Sequence, residues 1–220
     1  NNLKYLISPN TILLIENHYL GSVIKKNQFD TFYHEHPRTY SATSFIYISK
    51  KLNMSIKKVE FPKRYGGNIR VILCRGSGIK KFDFIKKKER TFINKISKMQ
   101  KNINLWTHKK SLLIKRLYKK HGLLSAKAFP GRSAILVKLL NLDNKVIEAV
   151  YEKPGSKKIG NYVPSTRIPI KSDSILFKNI KKYKIILNFA WHISREIKIY
   201  LRKNGFKGKI INILDQQDFK

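Results

Sequence analysis

Residues 123–151 run Leu123-Leu-Ser-Ala-Lys-Ala-Phe129, Pro130-Gly131, Arg132-Ser-Ala-Ile-Leu-Val-Lys-Leu-Leu140, and then Lys145-Val-Ile-Glu-Ala-Val-Tyr151. Two short apolar runs flank a segment with apolar residues at helical spacing, which predicts strand, helix, strand. The pattern resumes downstream, with a strand over 185–189, a helix over 194–203 and a last strand over 209–214. Alternating strands and helices of this length predict a parallel, Rossmann-like α/β sheet. The composition changes upstream of Gly122. Residues 79–120 are lysine-rich with apolar positions at helical spacing (Phe82, Ile85, Phe92, Ile93, Ile96, Met99, Ile103), which predicts a helical connector. The run Lys86-Lys87-Lys88 reads as a solvated helix face.

The segment before the connector has a different order. Thr11 to Ile15 reads as a buried strand after the turn residues Pro9 and Asn10, with Glu16 at its end. Ligands bind at the carboxyl ends of strands in open α/β sheets, so Glu16 to Tyr19 is a candidate site edge. A helix is expected over 43–52, capped by Ser41 or Thr43, followed by strands over 55–61 and 68–74. Adjacent strands after a helix suit an antiparallel closing edge of a mixed sheet. The expected organisation is therefore 1–78, a helical connector over 79–120, and a compact α/β domain over 121–220.

The chain has 220 residues and 42% hydrophobic content, enough to bury sizeable cores. Its formal charge is +34, from 47 Lys and Arg against 13 Asp and Glu. Such an excess suggests a polyanionic partner, as in a basic nucleic-acid-binding module. It also suits a genome whose A/T-rich codons favour Lys, Ile and Asn. Cys74 is the single cysteine, which excludes a disulfide framework within this sequence and a zinc site built from its cysteines, and which fits a cytoplasmic setting. No apolar run approaches the roughly 20 residues of a membrane span. The sequence opens on Asn1 without a signal-peptide pattern, as a fragment would.

The densest chemistry lies in Tyr33-His-Glu-His-Pro-Arg-Thr-Tyr40. A turn there can converge a base (His36), a carboxylate that orients it (Glu35) and a phenol that donates to a developing oxyanion (Tyr33). The same residues can form a solvated loop. His34 and His36, with His18, also admit a His-ligated metal enzyme, although a fourth ligand is not evident. Other candidates are Arg64-Tyr65-Gly66-Gly67-Asn68-Ile69-Arg70, where glycines permit close backbone approach, and Arg132 at a helix start, where amides can hold an anion. Lys157, Lys158 and Arg167 in the turn-rich segment 153–170 could receive a diphosphate. Trp191 and His192 stand just past a strand end.

In this order the motifs Leu13–Leu20, Gln28–His36, Tyr65–Arg70, Lys158–Ile170 and Ala190–His192 with Glu196-Ile197 resemble S-adenosylmethionine-dependent C-methyltransferases that act on nucleotide-linked keto-sugars. The resemblance covers the C-terminal two-thirds of such enzymes. It implies a fold made of the C-terminal part of a class I methyltransferase sheet, the helical connector and the Rossmann-like domain. It further implies His36 as general base with Glu35 and Tyr33 supporting it, and a nucleotide-linked keto-sugar as substrate partner, with neither nucleic acid nor membrane. The substrate would lie between the two domains, within reach of Tyr65, Gly67, Asn68, Arg70, Arg132, Lys158 and Thr166. The family's Gly-rich S-adenosylmethionine loop and structural zinc cysteines are expected upstream of Asn1, so that this chain alone is expected to be inactive. Where the family carries Pro-Gly-Thr, this sequence has Pro164-Ser165-Thr166.

Overall fold

The computed structural model describes residues 2–79 and 82–219. The chain forms two compact units, one made of residues 1–31 and 36–101 and the other of residues 32–35 and 102–220.

In the first unit, strand β1 (Leu13–His18), helix α1 (Leu20–Lys25), helix α2 (Ala42–Lys51), strand β2 (Ser55–Glu60), strand β3 (Asn68–Cys74) and helix α3 (Asp83–Arg90) follow in order, and helix α4 (Phe92–His121) begins here. The three strands make an antiparallel sheet in the order β1-β3-β2. Strand alternation divides β3 between two faces. Ile69, Val71 and Leu73 are fully buried and pack with Phe45, Met54 and Phe92, whereas Asn68 and Arg70 fall on the opposite face. Register carries this division onto β1, where Glu16 pairs with Arg70 and His18 with Asn68.

Here the structure corrects the sequence reading. The strand is shifted three residues downstream of the expected 11–15 end, and Glu16 lies inside an antiparallel ladder rather than at a strand's carboxyl end. Nor is the apolar run wholly buried, because β1 pairs on one side only and Ile12 and Leu14 are 70% and 58% exposed. Polar Glu16, Asn17 and His18 remain extended because their amides and carbonyls are satisfied by β3, which hides the strand from an apolarity criterion.

Helix α2 starts as expected. Ser41 and Ser44 form a reciprocal capping box. A second cap comes from far along the chain: the buried Glu89 carboxylate accepts from the Ala42 and Thr43 amides, the Thr43 hydroxyl and the Tyr19 phenol. A carboxylate at a helix N-terminus meets both unpaired amides and the positive end of the helix dipole. Burial and the Glu89 carboxylate together push the Tyr19 phenol well above its usual range.

The second unit contains β4 (Leu124–Lys127), α5 (Ser133–Leu139), β5 (Ile147–Glu152), β6 (Ile170–Ser172), α6 (Asp173–Lys178), β7 (Ile185–Asn188), α7 (Ser194–Lys203) and β8 (Lys209–Asn212). Its five strands are all parallel, in the order β6-β5-β4-β7-β8. The chain leaves β4 toward one edge and returns to its other side at β7, so the carboxyl ends of β4 and β7 mark the topological switch point. A buried ion pair lies beneath this point. Lys127 Nζ stands 3.0 Å from Asp173 Oδ2 and donates to the Tyr151 carbonyl, while Tyr200 OH donates to the same carboxylate oxygen.

The β5-to-β6 connection has no helix and instead folds as a hairpin along β6, with Gly160 and Asn161 bonded to Ile170 and Val163 to Ile168. Its tip holds Ser165 at φ 59°, a left-handed conformation that glycine adopts without strain. Ser165 thus holds, with a side chain, a backbone conformation suited to glycine. Left-handed backbone costs an L-residue roughly 1–2 kcal/mol, partly offset by the greater unfolded-state freedom of glycine. Ser165→Gly should accordingly raise the unfolding free energy by about 0.5–1 kcal/mol, read from urea denaturation.

Candidate active site

The polar face of the antiparallel sheet is held by one carboxylate. Glu16 accepts from Asn68 Nδ2 at 2.7 Å through Oε1, and from Arg70 Nε at 2.8 Å through Oε2, with Arg70 Nη2 a further 2.7 Å contact. Arg70 Nη1 reaches Glu60 on β2 at 3.3 Å, so the guanidinium ties all three strands together. Hydrogen bonds from Asn68 and then Arg70 hold the Glu16 carboxyl below its ordinary value of 4.5. Because Asn68 is buried and its Nδ2 is used by Glu16, its Oδ1 is left as an acceptor without a hydrogen-bond partner among the described residues. Buried acceptors of this kind are uncommon and suit a ligand's donor.

His36 reaches the same face. Its ring stands 4.6 Å from that of His18, at 79°. His36 is half-buried, in contrast to the exposed His34 and Glu35. Because β1 places His18 beside Glu16 on alternating positions, extending the strand by three residues in the sequence would have placed His18 on the face with Asn68 and Arg70; nothing in the spacing signals the His36 contact.

The Arg64–Gly66 turn before β3 is packed against α1 and the residues after it. Gly66 has φ 94° and its carbonyl accepts from Lys26 Nζ at 2.6 Å, and a Cβ there would lie 2.1 Å from Gln28 Nε2. At Gly67, with φ 123°, a Cβ would meet Ser22 Oγ at 2.5 Å. The chain's own side chains therefore account for both glycines. The Tyr65 side chain lies outside the described part of the structure.

In the second unit, the Tyr33 phenol donates to Glu35 Oε2 at 2.9 Å, and His34 Nε2 is 3.9 Å from Glu35 Oε1. Both Tyr33 and Glu35 lie against Gly131, where a Cβ would come 2.8 Å from the Tyr33 ring and 3.1 Å from Glu35 Oε1. The 33–35 segment thus sits on the β4–α5 turn, at the switch point of the parallel sheet. Arg132, 8% exposed, places its guanidinium 5.1 Å from the centre of the Trp191 ring, which follows β7. Lys158 Nζ donates to the Phe129 carbonyl at 2.6 Å and lies 3.9 Å from Glu152. Arg132, Lys158, Tyr33 and Glu35 are therefore gathered at the carboxyl edge of this sheet.

Thr166 is not among them. Its hydroxyl donates to the Val163 carbonyl and accepts from the Ile168 amide, and it lines an open groove of about 610 Å³ with Leu123, Glu148 and Pro169, beside the amino ends of β4, β5 and β6. The connection leaves β5 at one edge and enters β6 at the other, so its two halves cannot serve the same edge.

In the β4–α5 turn, Tyr33 and Glu35 fill the space at Gly131. Among the described residues no three His, Cys, Asp or Glu side chains are grouped to hold a metal ion. No helix among them is long and apolar enough to cross a membrane.

Residues 63–213 match the C-methyltransferase C-terminal domain, and the chain belongs to that family. The C-methyltransferase NovU of Streptomyces niveus is similar to it, with 30% identity over 69 residues. That alignment spans 31% of this chain and 16% of the relative.

Glu16 supplies a pH test of the sheet face. A carboxyl whose folded pKa is depressed stabilises the fold fully above its unfolded value and loses that contribution as pH falls through the folded value. Urea midpoints should therefore decline on acidification below about 4.5. Glu16→Gln, which removes the Arg70 charge partner, should be less stable at neutral pH and show a shallower acid decline.

Proposed function

We infer that this chain contributes the proton-abstracting groups of an S-adenosylmethionine-dependent C-methyltransferase acting on a nucleotide-linked keto-sugar. The observation that carries the reading is the edge-to-face contact of the His36 imidazole with His18 on the polar sheet face of the first unit. In the second unit, the Tyr33 phenol is hydrogen-bonded to the Glu35 carboxylate. Family membership supports the reaction class, and the name of the similar Streptomyces protein is consistent with it.

In this reading the His36 imidazole removes the acidic proton from the carbon next to the sugar's keto group. An imidazole suits the task because its protonation changes near neutral pH. The resulting enolate needs a donor at its oxygen, and the group proposed for it is the Tyr33 phenol, whose single proton, held by Glu35 in this structure, would turn to the enolate when substrate is bound. Asn68 Oδ1 offers an acceptor for a sugar hydroxyl. Arg132 and Lys158 are proposed to meet the phosphates; the proposal leaves Arg70 structural, since Glu16 and Glu60 already take up its charge. S-adenosylmethionine supplies an electrophilic methyl group when bound, and no residue of this chain is assigned to holding it.

Steady-state methyl transfer by the complete gene product tests the assignment. His36→Ala should lower kcat by roughly 10²- to 10⁴-fold, the usual contribution of a general base, with cofactor affinity kept. Tyr33→Phe should lower kcat by a smaller factor. Undiminished turnover in His36→Ala would remove His36 from the role.

A further inference from the structure

The His18 imidazole is held where few side chains could move it. It ends β1, faces Asn68 across the ladder, and stands two residues from Glu16, the carboxylate that binds Asn68 and Arg70. The next amide along, that of Tyr19, continues the pairing to the Gly67 carbonyl. His36 lies outside this ladder. It belongs to the stretch between the Phe29–Thr31 turn and α2, which contains no helix or strand. Its backbone amide and carbonyl take no part in the β1–β3 ladder. Pro37 follows it directly and cannot donate a backbone hydrogen bond. A misplacement of about 1 Å can cost a general base on the order of 100-fold in rate. The T-shaped contact at 4.6 Å and 79° opposes such a misplacement, because edge-to-face packing constrains both the position and the tilt of the ring.

We propose that His18 is a positioning residue that orients the His36 imidazole for proton abstraction through edge-to-face ring contact. The proposal rests on the reading of His36 as the base. His18 contacts no reacting atom in it; the ring supplies shape, and an aromatic ring without nitrogen serves in its place.

The test uses three substitutions in the complete gene product, His18→Ala, His18→Leu and His18→Phe, assayed for methyl transfer with S-adenosylmethionine and a nucleoside-diphosphate-linked keto-sugar. His18→Ala should lower kcat by roughly 10- to 100-fold while KM changes little, because the binding groups are untouched. His18→Leu fills the volume without a ring and should show the same loss, which keeps the test valid if the alanine variant fails to fold. His18→Phe should restore kcat to well above both. In carbon–proton NMR spectra of this chain, the His36 ring signals should keep their ring-current displacement in His18→Phe and lose it in His18→Leu. Wild-type kcat in His18→Leu, with His36→Ala inactive, would overturn the proposal and leave the base assignment standing. Wild-type kcat in His36→Ala would instead overturn the base assignment, and the proposal with it. A phenylalanine variant as impaired as the leucine variant would overturn ring contact as the means.

Discussion

The Glu16 carboxylate, lying between Asn68 and Arg70, is the interaction on which the candidate site depends. It is a charged group on the polar side of a three-stranded sheet, and its bonds run across the strands rather than along them. Arg70 carries the link on to Glu60, so one guanidinium and two carboxylates lock β1, β3 and β2 in register on the side away from the apolar core. Slippage by one residue would exchange the faces of the sheet, placing Glu16 against Phe45 and Ile69 and exposing the core strand. The same register puts His18 opposite Asn68, and through His18 it sets where the His36 ring can rest. The polar face is thus both the means of holding the strands in place and the support for the proposed base.

The second unit solves a different problem. A parallel sheet requires each connection to cross from one edge to the other. Helices α5, α6 and α7 make the crossing in most of this unit, but the β5-to-β6 connection makes it with a hairpin. Lys158 therefore stays at the carboxyl edge, against Phe129 and Glu152, while Thr166 is carried to the amino edge. The Tyr33–Glu35 segment closes over Gly131 at the carboxyl edge, and a side chain at Gly131 would displace it. Gly131 thus serves close packing.

Much of this architecture was legible from periodicity. The strands and helices of the second unit lie within a few residues of their expected limits, because β4, β5 and β7 are buried on both faces and read as continuous apolar runs. The α2 cap was legible because Ser41 precedes an apolar stripe. What could not be read has physical causes. Helix α1 is only six residues long and contains Gly21, too short for a periodic signal. Strand β6 and helix α6 adjoin a segment rich in Pro, Gly and Ser, which reads as loop. The end of β1 was missed because its residues are polar, and the Glu89 cap because its partner helix lies 46 and 47 residues earlier. For the site, the sequence located the Tyr33–His36 segment by the concentration of acid–base groups, but grouping depends on tertiary placement. It thus grouped Thr166 with Arg132 and Lys158 although the structure separates them, and it read His18 as part of a site edge or as a metal ligand but not as a neighbour of His36.

Proton abstraction from carbon, the step proposed for this chain, can be observed apart from methyl transfer. The direct measurement is hydrogen–deuterium exchange at the carbon next to the keto group of a nucleotide-linked keto-sugar. It is followed by NMR in D2O with the complete gene product and an S-adenosylmethionine analogue that carries no transferable methyl. Enzyme-dependent exchange at that carbon is expected, lost on replacing His36 by alanine. Exchange that persists unchanged in His36→Ala, or none with the wild-type protein, would contradict the proposed role.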